Sequence, residues 1–194
     1  MGITIHFTGY LPGEAALAAI ERDGRAFADA RGWQYRSIDH TDADGVQYTG
    51  TVYFPHPDCE PVYLVFDAQF RLSDHVKTHF APSAIHIAVI ELMRAVAPHF
   101  AALEVDDEAG YWESSSIQEL DDARAVINSR LDEIMRESPG SVRFVKERNG
   151  RIVDVYRART AEAATALAAA FGPDVPKADD KSVPWWRRLF GRAI

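Results

Sequence analysis

The chain has 194 residues, of which 47% are hydrophobic and 26% charged, and its formal charge is -8. That length suits one domain with a well-buried core, and the composition excludes intrinsic disorder, which goes with low hydrophobicity and high net charge. The single cysteine, Cys59, excludes an internal disulfide framework, and no stretch reaches the roughly 18 apolar residues of a membrane span.

The opening residues MGITIHFTGY lack a basic region followed by a long apolar run, so the expectation is a cytoplasmic, bacterial-type protein without a signal peptide. Charge is unevenly spread. Residues 173–194 hold five Lys or Arg against three Asp, which makes this tail +2 and leaves -10 on the preceding 172 residues. An acidic body repels phosphate backbones, which argues against nucleic acid as its partner.

Ile3, Ile5 and Phe7 alternate with Thr4 and His6, the period of a half-buried strand. From Glu14 the spacing turns helical: Leu17, Ile20, Gly24 and Phe27 share one stripe, Arg31 sits in the last turn and Gly32 offers the C-cap. A glycine inside a helix costs about 1 kcal/mol, so Gly24 on the buried stripe predicts close approach of the helix to the sheet. Trp33 to Ile38 reads as a second strand, and Val46, Tyr48, Val52 and Phe54 as a third. The turn from His56 to Pro61 leads to Val62–Phe66, apolar throughout, as in a central strand covered on both faces.

Pro82 suits the first position of a helix with Ile85, Val89, Leu92 and Val96 on its stripe. Leu103–Val105 is a short strand leading into the acidic, aromatic loop Asp106–Glu113. Ser116 and Glu119 make a capping box for a helix that Ser138-Pro139-Gly140 stops. Asn149-Gly150 between two alternating runs predicts a hairpin with a two-residue turn, pairing 142–148 with 151–157. A last, alanine-rich helix is expected from Thr160 to Phe171.

This order predicts an α+β fold: a mainly antiparallel sheet of about six to seven strands, with three to four helices packed on it. The expected organisation is one globular domain over residues 1–172, a linker over 173–184 and an aromatic, basic, amphipathic tail over 185–194.

Three places could carry function. The first is the density of His56, Asp58, Cys59, Asp74, His75, His79 and His86. On a helix, His75 and His79 stand on one face within reach of one metal ion, and His56, Cys59 or Asp74 could complete its shell. The competing reading has His75 and His79 facing solvent and His86 hydrogen-bonded on a packed helix. A zincin motif is missing, because Val76 stands where that pattern needs Glu.

The second place is the loop 106–113. Glu108 or Glu113 beside Tyr111 and Trp112 could serve as a general acid, since burial against an aromatic raises a carboxyl pKa. Its plainer reading is a set of acids favouring a helix N-terminus, with Trp112 as an anchor. Cys59 lies between Asp58 and Glu60, which disfavour its thiolate. No G-x-S-x-G elbow and no Gly-rich phosphate loop is present, and no cofactor is implied.

The third place is the tail, where Trp185, Trp186, Arg187, Arg188, Leu189 and Phe190 combine aromatic and cationic groups suited to a groove on a partner protein or to an anionic membrane surface. The leading expectation is therefore an interaction protein with an acidic body and a basic, aromatic contact segment. The alternative is a small hydrolase or metal-dependent enzyme using residues 56–86 and the loop 106–113.

Overall fold

The computed structural model describes residues 2–137, 142–147 and 150–156. They divide into two compact units, one of residues 2–124 and one of the residues from 125 onward. The first contains β1 (Thr4–Tyr10), α1 (Glu14–Arg31), β2 (Gln34–Thr41), β3 (Gln47–Phe54), β4 (Val62–Asp67), β5 (Arg71–Lys77), α2 (Ser83–Val96), a 3₁₀ turn (Ala97–His99), β6 (Ala102–Asp107), α3 (Tyr111–Ser114) and the start of α4 (Ile117–Glu137).

Among the described residues every strand pair is antiparallel, and helices accompany the sheets, so the fold class is α+β. The strands form separate ladders rather than one sheet: β5-β1-β6 and β2-β3-β4 each have three strands. The chain passes from the second of these to the first through the tight turn between β4 and β5. There Asp67 Oδ1 accepts the N–H groups of Gln69 and Arg71, and Phe70 takes a left-handed φ of 58°.

β1 follows its alternation, with Ile3, Ile5 and Phe7 buried and His6 and Thr8 exposed. α1 buries Ile20, Gly24 and Ala28 and ends at Gly32, whose φ of 67° suits a residue without a Cβ. The expected close approach is present at Gly24: a Cβ there would stand 2.3 Å from the Tyr53 hydroxyl oxygen on β3. Tyr53 is fully buried, and that burial pushes its phenol up to about 12.

β4 is buried from Val62 to Phe66 on both faces, although it closes its ladder instead of standing in the middle. α2 begins at Ser83, with Pro82 as the N-cap residue one place earlier than expected, and buries His86, Val89, Ile90, Leu92, Met93 and Val96. Ser116 caps α4 through the Glu119 N–H at 3.2 Å.

In the unit from residue 125 onward, Leu131 and Ile134 of α4 are buried, and β7 (Val142–Lys146) pairs with β8 (Ile152–Tyr156) as the expected hairpin. Its turn differs from the two-residue form. Lys146 pairs with Ile152, Glu147 N–H donates to Arg151 O, and Gly150 N–H donates to Glu147 O, so Glu147 stands opposite Arg151, one residue off the register of a two-residue loop. Gly150 holds φ at 86°, the left-handed position that closes the turn. The expected helix from Thr160, the linker 173–184 and the tail 185–194 lie outside the described residues. Among the described residues, no helix is long and apolar enough to cross a membrane.

Candidate functional site

The residues around His75 form β5, not a helix. Leu72, Asp74 and Val76 alternate with Arg71, Ser73, His75 and Lys77, and pairing with β1 prevails over the i, i+4 histidine spacing. His79 lies past the strand end, buried, with its ring edge-on to Phe80 at 5.1 Å. His56 sits in the turn before β4, where its Nδ1 accepts the Asp58 N–H at 3.0 Å. Cys59 is buried, with Sγ 3.8 Å from the Lys77 carbonyl. Among the described residues, no group of three or more His, Cys, Asp or Glu side chains is arranged to hold a metal ion.

In the acidic loop, Glu108 Oε2 accepts the Thr4 N–H at 2.8 Å while the Glu108 N–H donates to Thr4 O at 3.2 Å. The side chain thus stands in for a carbonyl and extends the β1–β6 ladder by one rung. Glu113 lies exposed on the single turn α3. Trp112 is half-buried, with the Arg94 guanidinium 5.6 Å from its ring centroid. One Arg94 nitrogen also donates to the carbonyls of Tyr111 and Trp112 and to the Ser115 hydroxyl, satisfying the end of α3.

The acid that this region buries is Asp107. Its Oδ2 lies 3.1 Å from His86 Nε2, and His86 Nδ1 lies 2.8 Å from the Thr78 hydroxyl. An ionised carboxylate can only accept, so His86 Nε2 carries a proton and donates it. Asp107 also accepts the N–H groups of Ala109 (2.9 Å) and Trp112 (3.0 Å). Burial pushes the Asp107 carboxyl up, but the His86 contact and the two backbone donors outweigh it and hold the group below its ordinary pKa.

A hydroxyl, an imidazole and a carboxylate in this order have the connectivity of a nucleophile, its base and the group that orients the base. Thr78 and His86 are wholly inaccessible, as is the Asp107 side chain, so no substrate carbonyl reaches the hydroxyl in this conformation. The chain of contacts instead ties the end of β5, α2 and β6 to the N–H groups that open α3.

The opposite face of sheet β5-β1-β6 is polar and largely open. Register places Lys77, Thr4 and Glu108 in one row, then His75, His6 and Asp106, then Ser73, Thr8 and Glu104, then Arg71, Tyr10 and Ala102. His6, Thr8, Tyr10, Arg71, Ser73, Glu104, Asp106 and Glu108 are exposed. Acids line β6, whereas the cations of this face lie across it on β5. At its centre the rings of His6 and His75 stack, with centroids 5.7 Å apart and planes inclined by 28°.

Sequence reasoning passed over both arrangements. Asp107 shares its parity with Leu103 and Val105, so the β6 alternation already turned it inward. His6 was legible as the outward residue of β1, but its opposite neighbour depends on strand register, which no local pattern gives. Compared with protein-family models, curated proteins and solved structures, this chain matches none.

Proposed function

We propose that this protein is a binding module whose contact surface is the open face of β5-β1-β6 and whose partner is a protein presenting cationic side chains to β6. The observation that carries this reading is the exposed acidic row Glu104, Asp106 and Glu108 beside His6 on a sheet face with few apolar groups. A sheet face built for the core carries alternating apolar residues, whereas this one carries an acid, a hydroxyl or an imidazole in every row. The -10 charge of residues 1–172 steers a cationic partner toward it. The tail residues Trp185, Trp186, Arg187, Arg188, Leu189 and Phe190 form a second proposed contact, for the same protein partner or for an anionic membrane surface.

No observation gives comparable support to a hydrolase or metal-dependent enzyme. Glu108 is committed to the β1–β6 ladder, Glu113 is exposed on α3, and the hydroxyl–imidazole–carboxylate chain is sealed. The test is a photo-crosslinking residue placed at Thr8, compared with one at the exposed Ala43 in the β2–β3 turn. The account expects a discrete protein adduct from Thr8 and none from Ala43; equal labelling at both positions, or none at either, contradicts it. Deleting residues 182–194 tests the tail, with an unchanged melting temperature and lost recruitment to the partner or to anionic vesicles as the expected outcome.

A further inference from the structure

We propose that His6 and His75 form a two-imidazole chelate for a divalent transition-metal ion, with Cu²⁺ preferred. The two residues are direct partners across the antiparallel β1–β5 ladder. Side chains so placed on one face stem from Cβ atoms roughly 4.5–5.5 Å apart, near enough for both rings to turn a nitrogen toward one ion. The rings already face each other at 5.7 Å, and their side chains are 50% and 33% exposed, which leaves room for that rotation and for water to complete the coordination sphere.

The surroundings suit a cation. Glu108 Oε1 lies 3.7 Å from His6 Nε2, Glu60 Oε2 lies 4.0 Å from His75 Nε2, and Asp74 Oδ1 lies 3.7 Å from His75 Nδ1. Glu108 and Glu60 are each anchored by a backbone N–H, from Thr4 and from Lys77, so their charge is fixed in place. Asp106 stands beside His6 on β6, and among the described residues the cation of the neighbouring row, Lys77, is one charge against four. These carboxylates supply field and ring orientation, while the donors are the two imidazole nitrogens. A nitrogen-donor pair of this kind selects late d-block ions in the order Cu²⁺ above Ni²⁺ and Zn²⁺, and discriminates against Mg²⁺ and Ca²⁺, which require oxygen.

The experiment is calorimetric titration of untagged full-length protein with Cu²⁺, Ni²⁺, Zn²⁺ and Mg²⁺, with electron paramagnetic resonance of the copper complex. The expected result is one Cu²⁺ per chain with two nitrogen ligands, the affinity order above, no heat from Mg²⁺, and a loss of about tenfold or more in either His6→Asn or His75→Asn. His56→Asn should leave the binding unchanged. Because both target rings are partly exposed, melting temperatures near that of the parent chain certify the variants as folded. Copper binding that survives in the His6→Asn/His75→Asn double variant, or no binding by the parent protein, overturns the proposal. The proposed protein-binding role is read by crosslinking at Thr8 in metal-free buffer, so the two readings fail independently.

Discussion

His86 Nε2 and Asp107 Oδ2 stand 3.1 Å apart with neither side chain reaching solvent. This contact joins α2 to the last residue of β6, and the same carboxylate collects two further backbone donors. Its geometry answers the cost of burying a charge: three donors surround the carboxylate, and the far side of the imidazole meets the Thr78 hydroxyl. Replacing Asp107 with Ala strands all three donors. The expected loss is about 3–5 kcal/mol of unfolding free energy, measured by urea titration, because removing one member of a buried, hydrogen-bonded pair leaves the other uncompensated.

The same carboxyl makes stability depend on acid. Its folded pKa is depressed below the unfolded value of about 3.9, so its contribution is fully present above that value and is lost as pH falls through the folded pKa. Urea unfolding measured from neutral pH downward should show stability declining below about pH 5. Asp107→Asn should be weaker at neutral pH yet decline less steeply over that acid range. Parallel profiles for the two proteins would show that another carboxylate governs the acid limb.

At Gly24 the ordinary helix rule reverses. Glycine to alanine in a helix interior normally stabilises by about 1 kcal/mol, but here the new methyl meets the Tyr53 hydroxyl oxygen at 2.3 Å. Gly24→Ala should therefore destabilise by about 1–3 kcal/mol, the usual cost of overpacking. In a Tyr53→Phe background that oxygen is gone, and the same substitution should cost less. A double-mutant cycle on chemical denaturation measures the difference.

What was legible in the sequence follows the range of the forces involved. The strands from β1 to β4, all three long helices and the close approach at Gly24 were readable because alternation, capping and a misplaced glycine are local signals. β5 went unassigned: a histidine pair spaced four apart suits a helix, while Leu72, Asp74 and Val76 alternate as a strand whose partner, β1, lies some 70 residues earlier. The hairpin was found, but its register moved by one residue because Gly150 can close either a two-residue or a three-residue loop. Of the site, His86 was read as a hydrogen-bonded core histidine and is one. The opposition of His6 and His75 and the row Glu104, Asp106 and Glu108 beside them arise from ladder pairing alone, which makes them properties of the fold.

The central claim is that the acidic side of the open sheet face meets a partner. Glu104→Lys/Asp106→Lys reverses two exposed charges on that face while leaving Glu108, which closes the β1–β6 ladder, in place. Surface changes of this kind usually alter stability by no more than about 0.5 kcal/mol, so the variant should melt close to the parent protein. The decisive measurement is the adduct yield from the photo-crosslinker at Thr8 in both proteins at equal concentration. The account predicts that the yield falls about tenfold or more in the charge-reversed variant, as unfavourable like-charge contacts suppress association; a yield equal to that of the parent protein would contradict it.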